Sequence, residues 1–186
     1  MPIIKNYGLR WTRDSVNWGE RGRAGTLDGK LATIKSSEIV DFREQIGIYV
    51  LYEPGFIPVY TGQAGVGTAR LFARLKNHQN DHLRDRWNCF SWFGFRAVTE
   101  SGELSERQNP EAMTSISYAD ALSEIEGILI EVLEPRLNKQ GARWQQNAKE
   151  FVQEPAEAPW DKVDHLIDQV TELQQTIENL SKKIKA

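Results

Sequence analysis

Glu126 stands on the apolar side of its own helix, and a carboxylate in that place has two uses. The segment Ala119 to Leu133 reads as one helix. Advancing about 100° per residue puts Glu124, Gly127, Glu131 and Glu134 on one side, as a solvent stripe. Glu126 falls opposite, among Leu122, Leu129, Ile130 and Leu133. Carboxylates are almost never fully buried unless they are paired or bind a metal. Glu126 is therefore either a core carboxylate held by an Arg or a Tyr, or a metal ligand on a cleft wall.

A second helix, Ala69 to about Gln79, carries the cations. Leu71, Phe72 and Leu75 form its apolar stripe. Arg70, Arg74 and His78 follow at successive i, i+4 positions and share one face. Three such groups in a row call for something anionic. That is either solvent with a partner such as Asp81, or a phosphate.

The order of motifs along the chain favours the phosphate. Gly47-Ile48-Tyr49 is followed by Tyr60-Thr61-Gly62, then Arg74 with His78 four residues on, then Glu126, then Pro135-Arg136-Leu137-Asn138. This ordered set resembles the GIY-YIG endonuclease superfamily. The resemblance runs from Ile46 to Asn138, about half of the chain. Any one three-letter match is weak, but the ordered set is specific. Three departures stand out. Thr61 replaces the usual Ile or Val. Gln63 stands where some members carry Lys. Gly65 to Thr68 add about four residues, which makes Arg70 a rival to Arg74. Arg74 is preferred because only it has a His four residues later.

The resemblance implies a metal-dependent nuclease acting on nucleic acid, DNA in the first place. Phosphodiester hydrolysis needs an activated water, neutralised charge and a stabilised leaving oxygen. Mg²⁺ (or Mn²⁺) held by Glu126 would polarise the phosphate, since Mg²⁺ takes one or two carboxylates plus waters. Arg74 can fork onto the scissile phosphate. Tyr49 is implied as general base or water-orienting group, with Tyr60 sharing its network. A Tyr titrates near pH 10 in isolation, so it would need a nearby cation. His78 is the alternative base or relay. Asn138 has a supporting role. Each also has a plain structural use: strand aromatics, an exposed helix His, a turn Asn. The competing reading is a catalytically silent nucleic-acid-binding or dimeric adaptor module.

The elements that must position these groups follow from composition. Ile46 to Glu53 and Val59 to Gly62 read as strands of a hairpin, punctuated by Pro54-Gly55. Phe90 to Val98 reads as a third strand, and Thr99 to Ser117 as a loop. The expected fold is α+β, a small three-stranded antiparallel sheet flanked by helices. Residues 1–40 read as an N-terminal extension, 41–150 as the nuclease-like domain, 151–160 as a Pro-containing linker and 161–186 as a coiled-coil helix. In the extension, Arg13, Arg21 and Arg23 interleave with Trp11 and Trp18. It is either a strand and loop closing the core or a nucleic-acid contact, joined by Gln63, Arg70 and Lys76.

The C-terminal heptads place Val163, Val170, Ile177 and Ile184 at a, and Leu166, Leu173 and Leu180 at d. β-branched residues at a with Leu at d favour a parallel two-stranded coil. The seam is about 33 Å long at the helical rise, marginal alone. A single amphipathic helix packing back on the domain is the other use of that stripe.

Over 186 residues the net charge of −3 does not itself call for a polyanion. The six Arg or Lys against two Asp between Gln63 and Val98 are more compatible with one. Cys89 is the sole cysteine, so no internal disulfide forms. No apolar run of membrane length occurs, which points to a cytoplasmic protein without a membrane partner.

Overall fold

The computed structural model describes residues 3–33, 38–65, 67–106, 118–134 and 148–155. Its strands are β1 (Asn6–Thr12), β2 (Asp28–Leu31), β3 (Val40–Asp41), β4 (Gly47–Glu53), β5 (Ile57–Ala64), β6 (Cys89–Gly94) and β7 (Lys149–Gln153). The helices among these residues are α1 (Leu71–Asn77) and α2 (Tyr118–Leu133). The strands form one seven-stranded sheet in the order β3-β2-β7-β1-β6-β4-β5. β1 and β7 run parallel, with Asn6 beside Lys149, and the other pairs run antiparallel.

This corrects the expected three-stranded sheet flanked by helices. The β5-β4-β6 unit is present, but it occupies one end of a larger mixed sheet. The cause lies in the outer edge of β6. All six of its residues are buried, so the strand needs a hydrogen-bonded neighbour on both sides. β1 supplies the second neighbour, pairing Tyr7 with Phe93 and Trp11 with Phe90. The segment read as an N-terminal extension therefore contributes β1 and β2, and β3 begins at its last residue. The segment read as a linker from 151 begins inside β7, where Phe151 is buried against Phe42. The chain divides into two units, Met1–Pro155 and Ala156–Ala186. The heptad positions Val163, Leu166, Val170, Leu173, Ile177, Leu180 and Ile184 lie outside the described residues, as does Asn138. No helix among the described residues is long and apolar enough to cross a membrane.

Strand alternation sorts the core into two layers. On one face Tyr49, Leu51, Phe90 and Trp92 pack with Trp11, Phe42, Leu71, Leu75 and Trp87, so α1 covers this side. Trp11 is the pivot, with edge contacts to Phe42, Phe90 and Trp92 and its indole donating to the Phe151 carbonyl at 3.1 Å. On the other face Val50, Tyr52 and Cys89 meet Val132, while Ile4, Tyr7 and Phe93 meet Ile128 and Val132. α2 covers that second side.

The phase of α2 is the reverse of the sequence reading. Glu124 and Gly127, assigned to solvent, are buried, and Glu126 is exposed beside Leu122, Ile125, Leu129 and Leu133. The physical reason is the start of the chain. The Ile3 and Ile4 amides donate to the two Glu124 carboxylate oxygens at 2.7 and 2.8 Å. A carboxylate that accepts two amide donors can be buried, and Glu124 is only 4% exposed. Deleting it strands both donors. Glu124→Ala is expected to lower unfolding free energy by about 1–3 kcal/mol, and Glu126→Ala to change it by less than about 0.5 kcal/mol. Urea denaturation of both variants tests this, and the reverse ranking would restore the helix phase read from sequence.

Candidate functional site

Two glycines let the site form. Gly47 has φ +149°, and a Cβ there would lie 2.0 Å from the Phe93 carbonyl oxygen. It allows β4 to lie close against β6 and sets the register that turns Tyr49 toward the α1 face. Gly62 pairs with Tyr49 across β4 and β5. A Cβ at Gly62 would fall 2.4 Å from both Cζ and the hydroxyl oxygen of Tyr49, so the phenol occupies the space a side chain would fill.

The Tyr49 phenol sits among Tyr60 and His78, with ring centroids 6.2 and 5.8 Å away, and Tyr60 and His78 are 4.9 Å apart. Its hydroxyl lies 2.8 Å from His78 Nε2. His78 Nδ1 lies 2.7 Å from Asp81 Oδ2, and Asp81 Oδ1 accepts the Leu83 amide at 2.8 Å. An ionised carboxylate can only accept, so Nδ1 carries a proton, and in the neutral ring Nε2 is then left to accept from Tyr49. The three side chains form one line, Tyr49 to His78 to Asp81. The Trp87 indole fixes the turn by donating to the His78 carbonyl at 3.2 Å. Tyr49 is 1% and His78 7% exposed, while Asp81 is exposed, so the line runs from the interior out to solvent.

Beside it opens a cleft of about 460 Å³, lined by Ile48, Tyr49, Tyr60, Thr61, Gly62, Gln63 and Arg74. Arg74 reaches it from α1. Its Nε is buried and has no hydrogen-bond partner among the described residues. A buried donor left unpaired costs about 1–3 kcal/mol, more when charged. An anion entering the cleft would supply the missing acceptor.

Burial pushes the Tyr49 phenol well above 10.0, Tyr60 adds to the push, and the Arg74 charge opposes it. The hydroxyl is therefore protonated at neutral pH and acts first as a donor. For Asp81, desolvation works upward, but the Leu83 amide and then His78 outweigh it and hold the carboxyl below its usual range. It stays an acceptor throughout the neutral range.

The other residues singled out in the sequence are dispersed. Gln63 is exposed on the cleft wall. Arg70 donates to the Gly67 carbonyl at 3.1 Å and lies 3.9 Å from Glu44. Lys76 donates to the Trp18 carbonyl at 2.9 Å. Arg13 lies over the Trp87 ring and donates to the carbonyls of Arg84 and Trp87, so it is a structural clasp. Arg21 and Arg23 are exposed at a hairpin tip closed by the Glu20–Arg23 bridge. Glu126 is not brought to the cleft, because α2 covers the opposite sheet face. The cleft lining offers two phenols, an amide and a guanidinium but no carboxylate. Asp81 is committed to His78 and Leu83, and no group of three or more His, Cys, Asp or Glu gathers among the described residues. The described lining does not fit a divalent cation. Asp81 was weighed in the sequence only as a partner for the basic face, and its position three residues after His78 is the signal for it.

No protein-family model, curated protein or solved structure matches this chain.

Gly62→Ala is expected to displace the Tyr49 ring and cost about 1–3 kcal/mol. The check is denaturant unfolding together with the ¹⁵N shift of His78 Nε2, and an unchanged shift would refute the close packing. A pH effect follows from the phenols. Tyr7, Tyr49 and Tyr52 are each pushed above 10.0, chiefly by burial. The folded state then holds these protons more tightly than the unfolded chain, so their stabilisation is full below about pH 10 and is lost as pH rises beyond it. Alkaline titration of phenolate absorbance is expected to show these tyrosines ionising together with unfolding. Their ionisation near pH 10 in a folded protein would contradict it.

Proposed function

We propose that this chain hydrolyses phosphodiester bonds in nucleic acid, DNA in the first place, at the Tyr49–Tyr60–Arg74 cleft. The observation that carries this reading is the buried, unpartnered Arg74 Nε beside a hydroxyl that leads to a His–Asp pair. A guanidinium in want of acceptors suits a phosphate, which it can grip in a fixed fork. The ordered similarity to GIY-YIG endonucleases over Ile46 to Asn138 supports the same chemistry through Tyr49, Tyr60, Arg74 and His78, although Glu126 stands away from the cleft.

In this mechanism Arg74 donates to a non-bridging oxygen of the scissile phosphate and neutralises charge that develops in the transition state. A water approaches the phosphorus beside Tyr49. As its oxygen bonds to phosphorus, its proton passes to the Tyr49 oxygen while the Tyr49 proton passes to His78 Nε2. The bond from phosphorus to the leaving oxygen breaks, that oxygen takes a proton from solvent, and His78 gives its extra proton back through Tyr49 to solvent. Tyr49 ends neutral, as it began, so its raised pKa is no obstacle. Gln63 faces the substrate from the rim, and Arg21 and Arg23, exposed and without an ion pair among the described residues, are offered to the backbone. The heptads Val163 to Ile184 extend the proposal to a parallel homodimer, in which two clefts act on one duplex.

The test is cleavage of supercoiled plasmid and of labelled single-stranded DNA and RNA, with Mg²⁺, Mn²⁺ or EDTA. Wild type is expected to cut, and Arg74→Ala to cut about 10²–10³-fold more slowly. Equal cutting by Arg74→Ala would place the chemistry elsewhere. No cutting of any substrate by folded wild type would favour a binding module. Joint loss in EDTA and in Glu126→Gln would bring a metal and α2 into the reaction. Single-strand nicks alone from a verified dimer would count against the paired clefts.

A further inference from the structure

We propose that Asp81 is a positioning residue for this reaction, holding His78 in the one tautomer that lets Tyr49 give up its proton. The inference rests on the nuclease reading for its catalytic part and on geometry for the rest. A neutral imidazole has one donor and one acceptor nitrogen, and the partner of one fixes the role of the other. Asp81 Oδ2, 2.7 Å from Nδ1, is an acceptor only. It fixes the proton on Nδ1 and leaves the Nε2 lone pair 2.8 Å from the Tyr49 hydroxyl. Without that carboxylate the proton can reside on Nε2. Nε2–H then faces Tyr49 as a donor, and transfer from Tyr49 is blocked. The carboxylate is itself oriented, because its other oxygen accepts the Leu83 amide at 2.8 Å. The imidazole cannot swing away, since His78 is 7% exposed and the Trp87 indole holds its carbonyl. Tyr60 flanks the relay edge-on, and Arg74 keeps its charge on the cleft side. No other carboxylate is hydrogen-bonded to His78 among the described residues.

Asp81→Asn separates this role from a merely structural one. The amide oxygen can still accept from Leu83, while its NH₂ now faces His78 Nδ1 and favours the Nε2–H tautomer. Two readouts are needed. ¹⁵N spectra of the His78 ring, taken on the full chain without substrate, are expected to show Nδ1–H in wild type and Nε2–H in Asp81→Asn. Single-turnover and steady-state cleavage are expected to show kcat reduced about 10²-fold with KM unchanged, the scale of a positioned proton acceptor. Asp81→Glu is expected to restore the Nδ1–H tautomer and part of kcat. Nε2–H in wild type, or wild-type kcat in Asp81→Asn, would overturn the proposal. A wild type that shows Nδ1–H yet cuts nothing would remove the nuclease reading and leave the relay geometry supported.

Discussion

Strand β6 has no free side. All six of its residues are buried, and it is hydrogen-bonded to β1 along one edge and β4 along the other. A strand in that position needs apolar cover above and below it. The upper and lower layers follow from this single requirement. Trp92 and Phe90 point into the layer that α1 closes, and Phe93 and Cys89 into the layer that α2 closes. The cleft opens toward β5, the edge strand of the sheet, where Tyr60 is only half-buried.

The line from Tyr49 to Asp81 depends on that layer in turn. Leu71 and Leu75 bury α1 against the sheet and so fix where its C-terminal end lies. His78 caps that end with its amide on the Arg74 carbonyl. The same helix therefore delivers a cation to the cleft and an imidazole to Tyr49. The Tyr49–His78 bond lies in a dry interior, where a hydrogen bond is electrostatically stronger than in water and an unpaired donor costs correspondingly more, while the Asp81 end of the relay reaches solvent. The relay is fully paired, and the Arg74 Nε beside it is not.

What the sequence displayed well was local. Hydrophobic runs and Pro54-Gly55 located β4 and β5, the aromatic run from Phe90 located β6, and the stripe of Leu71, Phe72 and Leu75 located α1. The remaining strands were hidden for physical reasons. β1 contains an irregularity between Gly8 and Trp11, with Arg10 at φ +52°, which breaks the alternation that would betray a strand. β2 and β3 are short, and the partner that joins them to the sheet, β7, is more than a hundred residues away in sequence. The α2 phase was misread because exposed Leu122, Ile125, Leu129 and Leu133 outnumber the apolar residues on its packed face. The buried carboxylate that the helix does contain, Glu124, is explained by backbone donors more than a hundred residues away, which no local pattern displays. Asp81 escaped for the opposite reason: a surface-looking acid three residues past a helix His is ordinary until the tyrosine beyond it is known.

The parallel pairing of β1 with β7 bears on how the protein is made. Asn6 and Tyr7 are made more than a hundred residues before their partners Lys149 and Glu150. The same is true of the Trp11 indole and its Phe151 carbonyl, and of the Ile3 and Ile4 amides and Glu124. Until β7 is made, the nascent chain carries an incomplete sheet, with one edge of β1 unpaired. Such edges recruit other strands, and non-local pairing is slow to form. During that interval the chain is most exposed to mispairing with its neighbours on the same message.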